Sequence, residues 1–176
     1  MTGKKILDSG QIEKIIDETS KAVCRDVGNL DSWAIVGIQT RGVTLAERIQ
    51  TCIERDSHIR LPLGILDITF YRDDLSKRGV LPIIKETRIP FNIEKKTILL
   101  VDDVIYTGRT IKAALESLMS FGRPGVIRLF VLIDRGNREL PIQPDYCGFS
   151  ISTSVSDEVR LCLKETDGEE DAAYIL

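Results

Sequence analysis

Hydrophobic and polar positions change period several times along the chain. Ile12, Ile15, Ile16, Thr19 and Val23 recur at helical spacing. An amphipathic first helix is predicted, with Asp8 or Ser9 able to cap it, Gln11 three residues beyond Asp8, and an end near Gly28. Ala34 to Ile38 is a short apolar run that stops at Gln39-Thr40-Arg41-Gly42, after which Leu45, Ala46, Ile49 and Ile53 mark a second helix. From Ile65 to Tyr71 the residues alternate, with Leu66, Ile68 and Phe70 on one side and Asp67, Thr69 and Tyr71 on the other. That period predicts a half-buried strand, and the polar run from Arg72 to Gly79 predicts a mobile loop after it. Thr97 to Val101 reads as a buried strand, Asp102 to Arg109 as a loop, and Thr110 to Phe121 as a helix with Ile111, Ala114, Leu115 and Leu118 on one face, ended by Gly122. Ile127 to Ile133 is the next central strand. The remainder, Asp134 to Leu176, is expected to be irregular, with short strands such as Val159 to Leu163.

Strands that alternate with helices, and β-branched runs too apolar to keep a solvent face, imply an α/β fold with a parallel sheet covered on both sides. In such sheets ligands sit outside the carboxyl ends of the strands. Two loops are candidates for that position, Gln39 to Gly42 and Asp102 to Thr110. No internal repeat, low-complexity tract or linker divides the 176 residues, so one domain spanning 1–176 is expected.

Charge narrows the partners. Twenty-four Lys and Arg against 27 Asp and Glu leave a net charge of −3, which excludes a general polycation. Any RNA or phosphate site must therefore be a local patch. No apolar run approaches the roughly 18 to 20 residues of a membrane span, and Met1 to Ser9 lacks the apolar stretch of a secretory signal, so a cytoplasmic protein is expected. Cys24, Cys52, Cys147 and Cys162 lie far apart with no C-x-x-C spacing, and His58 is the one histidine available to join them. A zinc site does not follow; the thiols read as small buried hydrophobes or neutral surface groups, and His58 as a surface loop residue.

The segment from Ile98 to Thr110, ILLVDDVIYTGRT, carries the most chemistry. Two adjacent carboxylates stand at a strand end, and a Thr-Gly-Arg-Thr turn then opens a helix. Backbone N–H groups at a helix start attract phosphate, Gly108 lets the backbone come close, and the hydroxyls of Thr107 and Thr110 can donate. Asp102 and Asp103 could accept hydrogen bonds from sugar hydroxyls. Together the two halves suit a ribose 5-phosphate, although paired aspartates and a capping turn taken alone fit a solvated strand end equally well.

The whole string resembles the phosphoribosyl diphosphate (PRPP) motif of type I phosphoribosyltransferases. The likeness extends over nearly the full chain: Val36 to Gly42 (VGIQTRG), Asp67 to Lys77 (DITFYRDDLSK), Val101 to Thr110 and Asp134 to Ile142 (DRGNRELPI) resemble segments of the PyrR family. That family comprises pyrimidine-operon attenuation regulators that are also uracil phosphoribosyltransferases. The resemblance implies a twisted, mostly parallel sheet with helices on both faces and a small irregular hood over about 134–176. It implies that Thr40, Arg41 and Gly42 hold the diphosphate, that Asp102 and Asp103 clasp the ribose, and that Val104, Ile105 and the loop Tyr106, Thr107, Gly108, Arg109 and Thr110 hold the 5-phosphate. Tyr71, Arg72, Lys77 and Arg78 fall in what resembles the family's flexible catalytic loop. Arg41, Asp102, Asp103 and Arg72 are the implied catalytic residues.

The reaction implied is displacement of diphosphate from PRPP by uracil to give UMP, with Mg²⁺ carried mainly on PRPP oxygens near Asp102 and Asp103. A homodimer or larger homo-oligomer is expected. Where the 6-oxopurine phosphoribosyltransferases carry an aspartate, this chain has Tyr106, which disfavours hypoxanthine and guanine. Two departures from the family concern the hood and the leader RNA of the pyr mRNA. Asn137 replaces the usual histidine, and the first helix carries Glu13, Asp17 and Glu18 against Lys14 and Lys21 where RNA-binding members are basic. Acidic groups repel a phosphate backbone. The competing reading is an RNA-binding attenuation regulator whose pocket serves chiefly as a UMP sensor, and the helix face also fits a plain solvated surface.

Overall fold

A computed structural model describes residues 3–26, 30–69 and 86–176. The chain opens with a strand that sequence periodicity does not signal, β1 (Lys4–Leu7), followed by α1 (Ser9–Asp26). Asp8 takes the capping role: its Oδ1 accepts the Gln11 N–H at 2.8 Å, and Gln11 Oε1 accepts the Asp8 N–H at 2.9 Å. The predicted stripe is the buried one, with Ile12, Ile16, Thr19 and Val23 all turned inward.

Next come β2 (Trp33–Ile38), α2 (Arg41–Ser57), β3 (Leu63–Leu66), β4 (Thr97–Ile105), α3 (Arg109–Met119) and β5 (Val126–Asp134). The last part of the chain holds β6 (Tyr146–Ser150), β7 (Val159–Cys162), the single turn α4 (Lys164–Asp167) and β8 (Ala172–Ile175). Five strands form a fully parallel sheet in the order β3-β2-β4-β5-β6. Residues alternate between its faces. Ile35, Leu99, Val101, Phe130 and Leu132 pack against α1 and α2, whereas Ala34, Val36, Ile98, Leu100 and Val131 pack against α3. Each such fully buried Leu, Ile or Phe contributes about 1.5–3 kcal/mol, so the two-sided core is what holds the sheet between its helices.

A second sheet, antiparallel β1-β8-β7, joins the first strand of the chain to the last, with Lys4 opposite Ile175. Leu7, Leu161 and Ala173 bring it into the same core as α1 and α2. Strand order places the site. Going from β2 the chain moves to β3 on one side and then returns to β4 on the other, so the winding direction reverses between β2 and β4. The crevice at their carboxyl ends is where an α/β sheet receives its ligand.

Three expectations need correction. The predicted strand from Ile65 to Tyr71 is instead β3, ending at Leu66, because Asp67 turns the chain: its Oδ1 accepts from the Thr69 N–H at 2.9 Å and from the Thr69 hydroxyl at 2.5 Å. Phe70 and Tyr71 lie outside the described residues. The predicted loop from Asp102 begins too early, since β4 runs on to Ile105 and pairs Asp102 with Val131 and Ile105 with Asp134 of β5. The segment after Asp134, expected to be irregular with short strands such as Val159 to Leu163, holds that strand as β7 but is more regular than expected, since it also supplies the edge strand β6 of the main sheet, where Gly148 lets α1 come close: a Cβ there would stand 2.3 Å from Ile15 Cγ2. Among the described residues no helix is long and apolar enough to cross a membrane, and all four cysteines are free thiols.

Candidate active site

Two helices start at the crevice. α2 begins straight after β2, and the tight spacing is glycine-dependent. A Cβ on Gly37 would stand 2.5 Å from Val43 Cα, and one on Gly42 would stand 2.5 Å from the Val101 carbonyl and 3.2 Å from Asp102 Cα. The first turn of α2 therefore rests directly on β4 beside the two aspartates. The Gln39–Thr40 peptide is cis. α3 begins after Gly108, whose φ of +91° is left-handed. Neither Thr40 nor Gly108 caps its helix with a side chain. Among the described residues the N–H groups of Thr107, Gly108 and Thr110 meet no protein acceptor; the Arg109 N–H lies 3.3 Å from Thr107 Oγ1.

Between these helix starts stand Asp102 and Asp103. Asp102 is buried, and its Oδ1 accepts the Asp103 N–H at 3.0 Å; Asp103, half-buried, accepts the Val104 N–H at 2.8 Å. Loss of water around Asp103 pushes its carboxyl above the usual range, although the Val104 N–H and the nearby Arg41 charge act in the other direction.

Arg41, the first residue of α2, has a partner that sequence did not announce. Its Nη2 and Nε donate to Asp167 Oδ1 and Oδ2 at 2.7 and 3.1 Å. The guanidinium holds the Asp167 carboxyl below the ordinary carboxylate range. On the opposite flank, the segment after β5 wraps the Tyr106 to Thr110 turn from behind. The Thr107 carbonyl accepts the N–H groups of Glu139 and Leu140 at 3.0 and 3.1 Å, and Arg138 Nη1 donates to the Tyr106 carbonyl at 2.8 Å. Arg138 also reaches the Ile142 carbonyl at 3.0 Å and Asp134 Oδ2 at 2.5 Å. The carbonyls of Tyr106 and Thr107 are thus engaged by the segment after β5. Arg135, only 6% exposed, stacks its guanidinium 4.0 Å from the centre of the Tyr106 ring and is pinned by Thr153 Oγ1 and the Ser154 carbonyl. Arg109 pairs with Glu139 at 2.7 Å on the exposed rim.

The structure thus brings Thr40, Arg41, Gly42, Asp102, Asp103 and the run from Val104 to Thr110 to one end of the sheet. Arg72, Lys77 and Arg78, with Tyr71, lie outside the described residues. Asp167, Arg135 and Arg138 are additions. The two arginines stood in a segment already singled out, but nothing local marks Asp167, which is 126 residues from Arg41.

The phosphoribosyl transferase domain family matches residues 2–166. A bifunctional protein PyrR of Roseiflexus sp. (strain RS-1) is 46% identical over 176 residues, covering 100% of this chain and 96% of its own. Another, from Caldicellulosiruptor saccharolyticus, is 49% identical over 166 residues, 94% of this chain and 91% of that one. The chain belongs to the PyrR family. The resemblance carried by the four PyrR-like segments is borne out over the whole length. The fold is borne out as well: a hypoxanthine phosphoribosyltransferase of Staphylococcus aureus superposes with a TM-score of 0.75 at 22% identity, covering 98% of this PyrR-family chain and 90% of its own. That of Trypanosoma cruzi gives 0.73 at 16% identity, with 98% and 95% covered.

Proposed function

We propose that the protein is a uracil phosphoribosyltransferase that makes UMP and diphosphate from uracil and PRPP in the cytoplasm. The observation that carries this reading is the convergence of two helix starts without side-chain caps on the Asp102-Asp103 pair. The N–H groups of Thr107, Gly108 and Thr110 suit the 5-phosphate, the two carboxylates suit the ribose hydroxyls, and Arg41 with the start of α2 suits the diphosphate. Uracil N1 forms the new bond to ribose C1 as the bond from C1 to the diphosphate oxygen breaks, and the N1 proton leaves to solvent or to the departing diphosphate. The protein's part is to align the two reactants and to neutralise the charge that gathers on the leaving group.

The residues present fit a magnesium ion that arrives on PRPP. Asp103 is a desolvated carboxylate whose charged form is disfavoured by burial, and a cation beside it would relieve that cost. Asp102 and Asp103 would lie next to the ion, either directly or through the ribose hydroxyls. When bound, Mg²⁺ supplies positive charge for the diphosphate oxygens.

Tyr106 supports a pyrimidine. Its ring is fixed under the Arg135 guanidinium, so position 106 carries no carboxylate for a purine N7. A second role is implied by the family resemblance, and fits relatives named bifunctional: UMP-dependent binding of pyr leader RNA. The α1 face offers little support for it, because Asp17 engages both Lys21 and Arg55 at 2.7 Å and Glu18 stands 3.8 Å from Lys14. Lys14, Arg48 and Arg55 line a groove of about 760 Å³ between α1, α2 and α4, and each of them already faces a carboxylate.

One experiment tests both roles. Diphosphate release is followed with uracil, hypoxanthine or guanine beside PRPP, and a leader hairpin is titrated with and without UMP. Turnover with uracil and slow release with the purines is expected; equal rates with a purine refute the base assignment. Weak, UMP-insensitive RNA binding is expected of the unmodified chain, and tight UMP-promoted binding restores the regulator as its principal role.

A further inference from the structure

One face of α2 is clamped by the end of the chain at three successive points. Arg41 makes its two-pronged pair with Asp167, the hydroxyls of Thr44 and Thr166 share a hydrogen bond at 2.8 Å, and Arg48 forks between Glu165 and Asp171. Positions 41, 44 and 48 follow helical spacing, so the contacts lie in one row. The outer two are remote from the crevice. The innermost falls on the residue assigned to the diphosphate.

Asp167 is fixed before Arg41 reaches it. Its Oδ2 accepts the Leu163 N–H at 2.9 Å, closing its own helical turn, and the Thr44–Thr166 hydrogen bond beside it holds that turn against α2 whether or not the outer Arg48 contact is made. The side chain of Asp167 is 14% exposed and that of Arg41 29% exposed. A guanidinium is planar, and its Nε–Nη2 side is taken by the carboxylate. Its Nη1–Nη2 edge stays available to a second oxyanion in a direction that the pair dictates. A lone surface arginine would have to lose its rotamer freedom at the moment of binding. Here that ordering is already done.

We propose that Asp167 is a positioning residue for phosphoribosyl transfer, orienting the Arg41 guanidinium so that its remaining edge meets the diphosphate of PRPP. The proposal rests on Arg41 being the diphosphate cation. It opposes another arrangement, in which Asp167 is a masking anion that diphosphate must displace. A masking contact has to let go, and this one belongs to a row of three whose carboxylate is also held by its own backbone.

The test compares Asp167→Asn, Arg48→Gln and Arg41→Ala with the unmodified protein. The readouts are KM for PRPP, inhibition by added diphosphate, UMP affinity by calorimetry, and Tm. Asp167→Asn keeps the size of the side chain but loses the paired charge. It is expected to raise both the PRPP KM and the diphosphate inhibition constant by about 10- to 100-fold, with UMP affinity changed by less than about twofold because UMP carries no diphosphate. Arg48→Gln breaks the outer clamp and is expected to lower Tm while leaving both diphosphate-dependent constants within about twofold. The proposal is overturned if Asp167→Asn changes neither constant, if it tightens diphosphate binding, if UMP affinity falls equally, or if Arg48→Gln shifts the PRPP KM as far. Arg41→Ala separates the two levels of inference. An unchanged PRPP KM in that variant defeats the assignment of Arg41 itself, whereas a raised KM there with a normal one in Asp167→Asn defeats only the positioning role.

Discussion

The start of α1 and the starts of α2 and α3 obey opposite rules. At α1, Asp8 and Gln11 exchange hydrogen bonds and the Ile12 N–H reaches the Asp8 carbonyl, so the helix start is closed by its own residues. At α2 and α3 the capping positions are Thr40 and Gly108, and neither makes a side-chain cap hydrogen bond. Between them burial disfavours the charged form of Asp103. The difference separates a helix end designed for the fold from helix ends that forgo local stabilisation to leave donors for an anion.

The sharpest way to break the contrast is at the seat of α2. Gly42→Ala places a methyl 2.5 Å from the Val101 carbonyl, so the helix start has to move off β4. We expect a stability loss of about 1–3 kcal/mol and a fall in kcat/KM for PRPP of about 100-fold or more, read from thermal melts and initial rates.

Asp103→Asn sharpens the contrast with two effects of opposite benefit. Asn keeps the shape and can still accept the Val104 N–H, but removes the charge. PRPP should bind about tenfold more weakly by calorimetry. The unliganded variant should nevertheless melt higher at pH 7. A carboxyl whose folded value is raised contributes stability in full below its unfolded value and loses that contribution as pH rises through the folded one. The Tm advantage of Asn should therefore shrink as the pH is lowered toward the unfolded aspartate value. A lower Tm for the variant at pH 7 would show that the Asp103 charge is stabilising.

The smallest effect belongs to the self-contained end. Asp8→Ala should cost about 0.5–2 kcal/mol of stability and leave the KM for PRPP and the turnover unchanged. A loss of PRPP affinity in this variant would mean that α1 participates in the site.

What sequence could reveal follows the same division between local and distant chemistry. The Asp8–Gln11 box, the stripe of α1, the apolar core of β4 and the glycine turn that opens α3 are all written in neighbouring residues, and all were legible. The length of β4 was not, because Asp102 and Asp103 look like a strand end while parallel pairing with β5 carries them past it. β3 was misread because the alternation around Asp67 is interrupted by a side-chain turn rather than by glycine or proline. β1 escaped notice since four residues, two of them lysine, earn a strand only from the partner at Ala172–Ile175. Asp167 is the extreme case. Its spacing from Glu165 and Asp171 suggests a solvated tail, and only the folded chain shows that all three carboxylates face arginines of α2.

The pairing of β1 with β8 also sets a schedule for synthesis. Ribosomes add about 5–20 residues per second, so the first strand waits on the order of ten seconds or more for its partner to emerge. In that interval β2, α2, β4 and α3 are already available to form the crevice, but the acidic turn that clamps α2 is not. The nascent chain therefore passes through a stage in which the residues of the crevice have emerged while Arg41 is still without Asp167, and the late emergence that supplies β8 as partner for β1 also delivers the partner of that arginine.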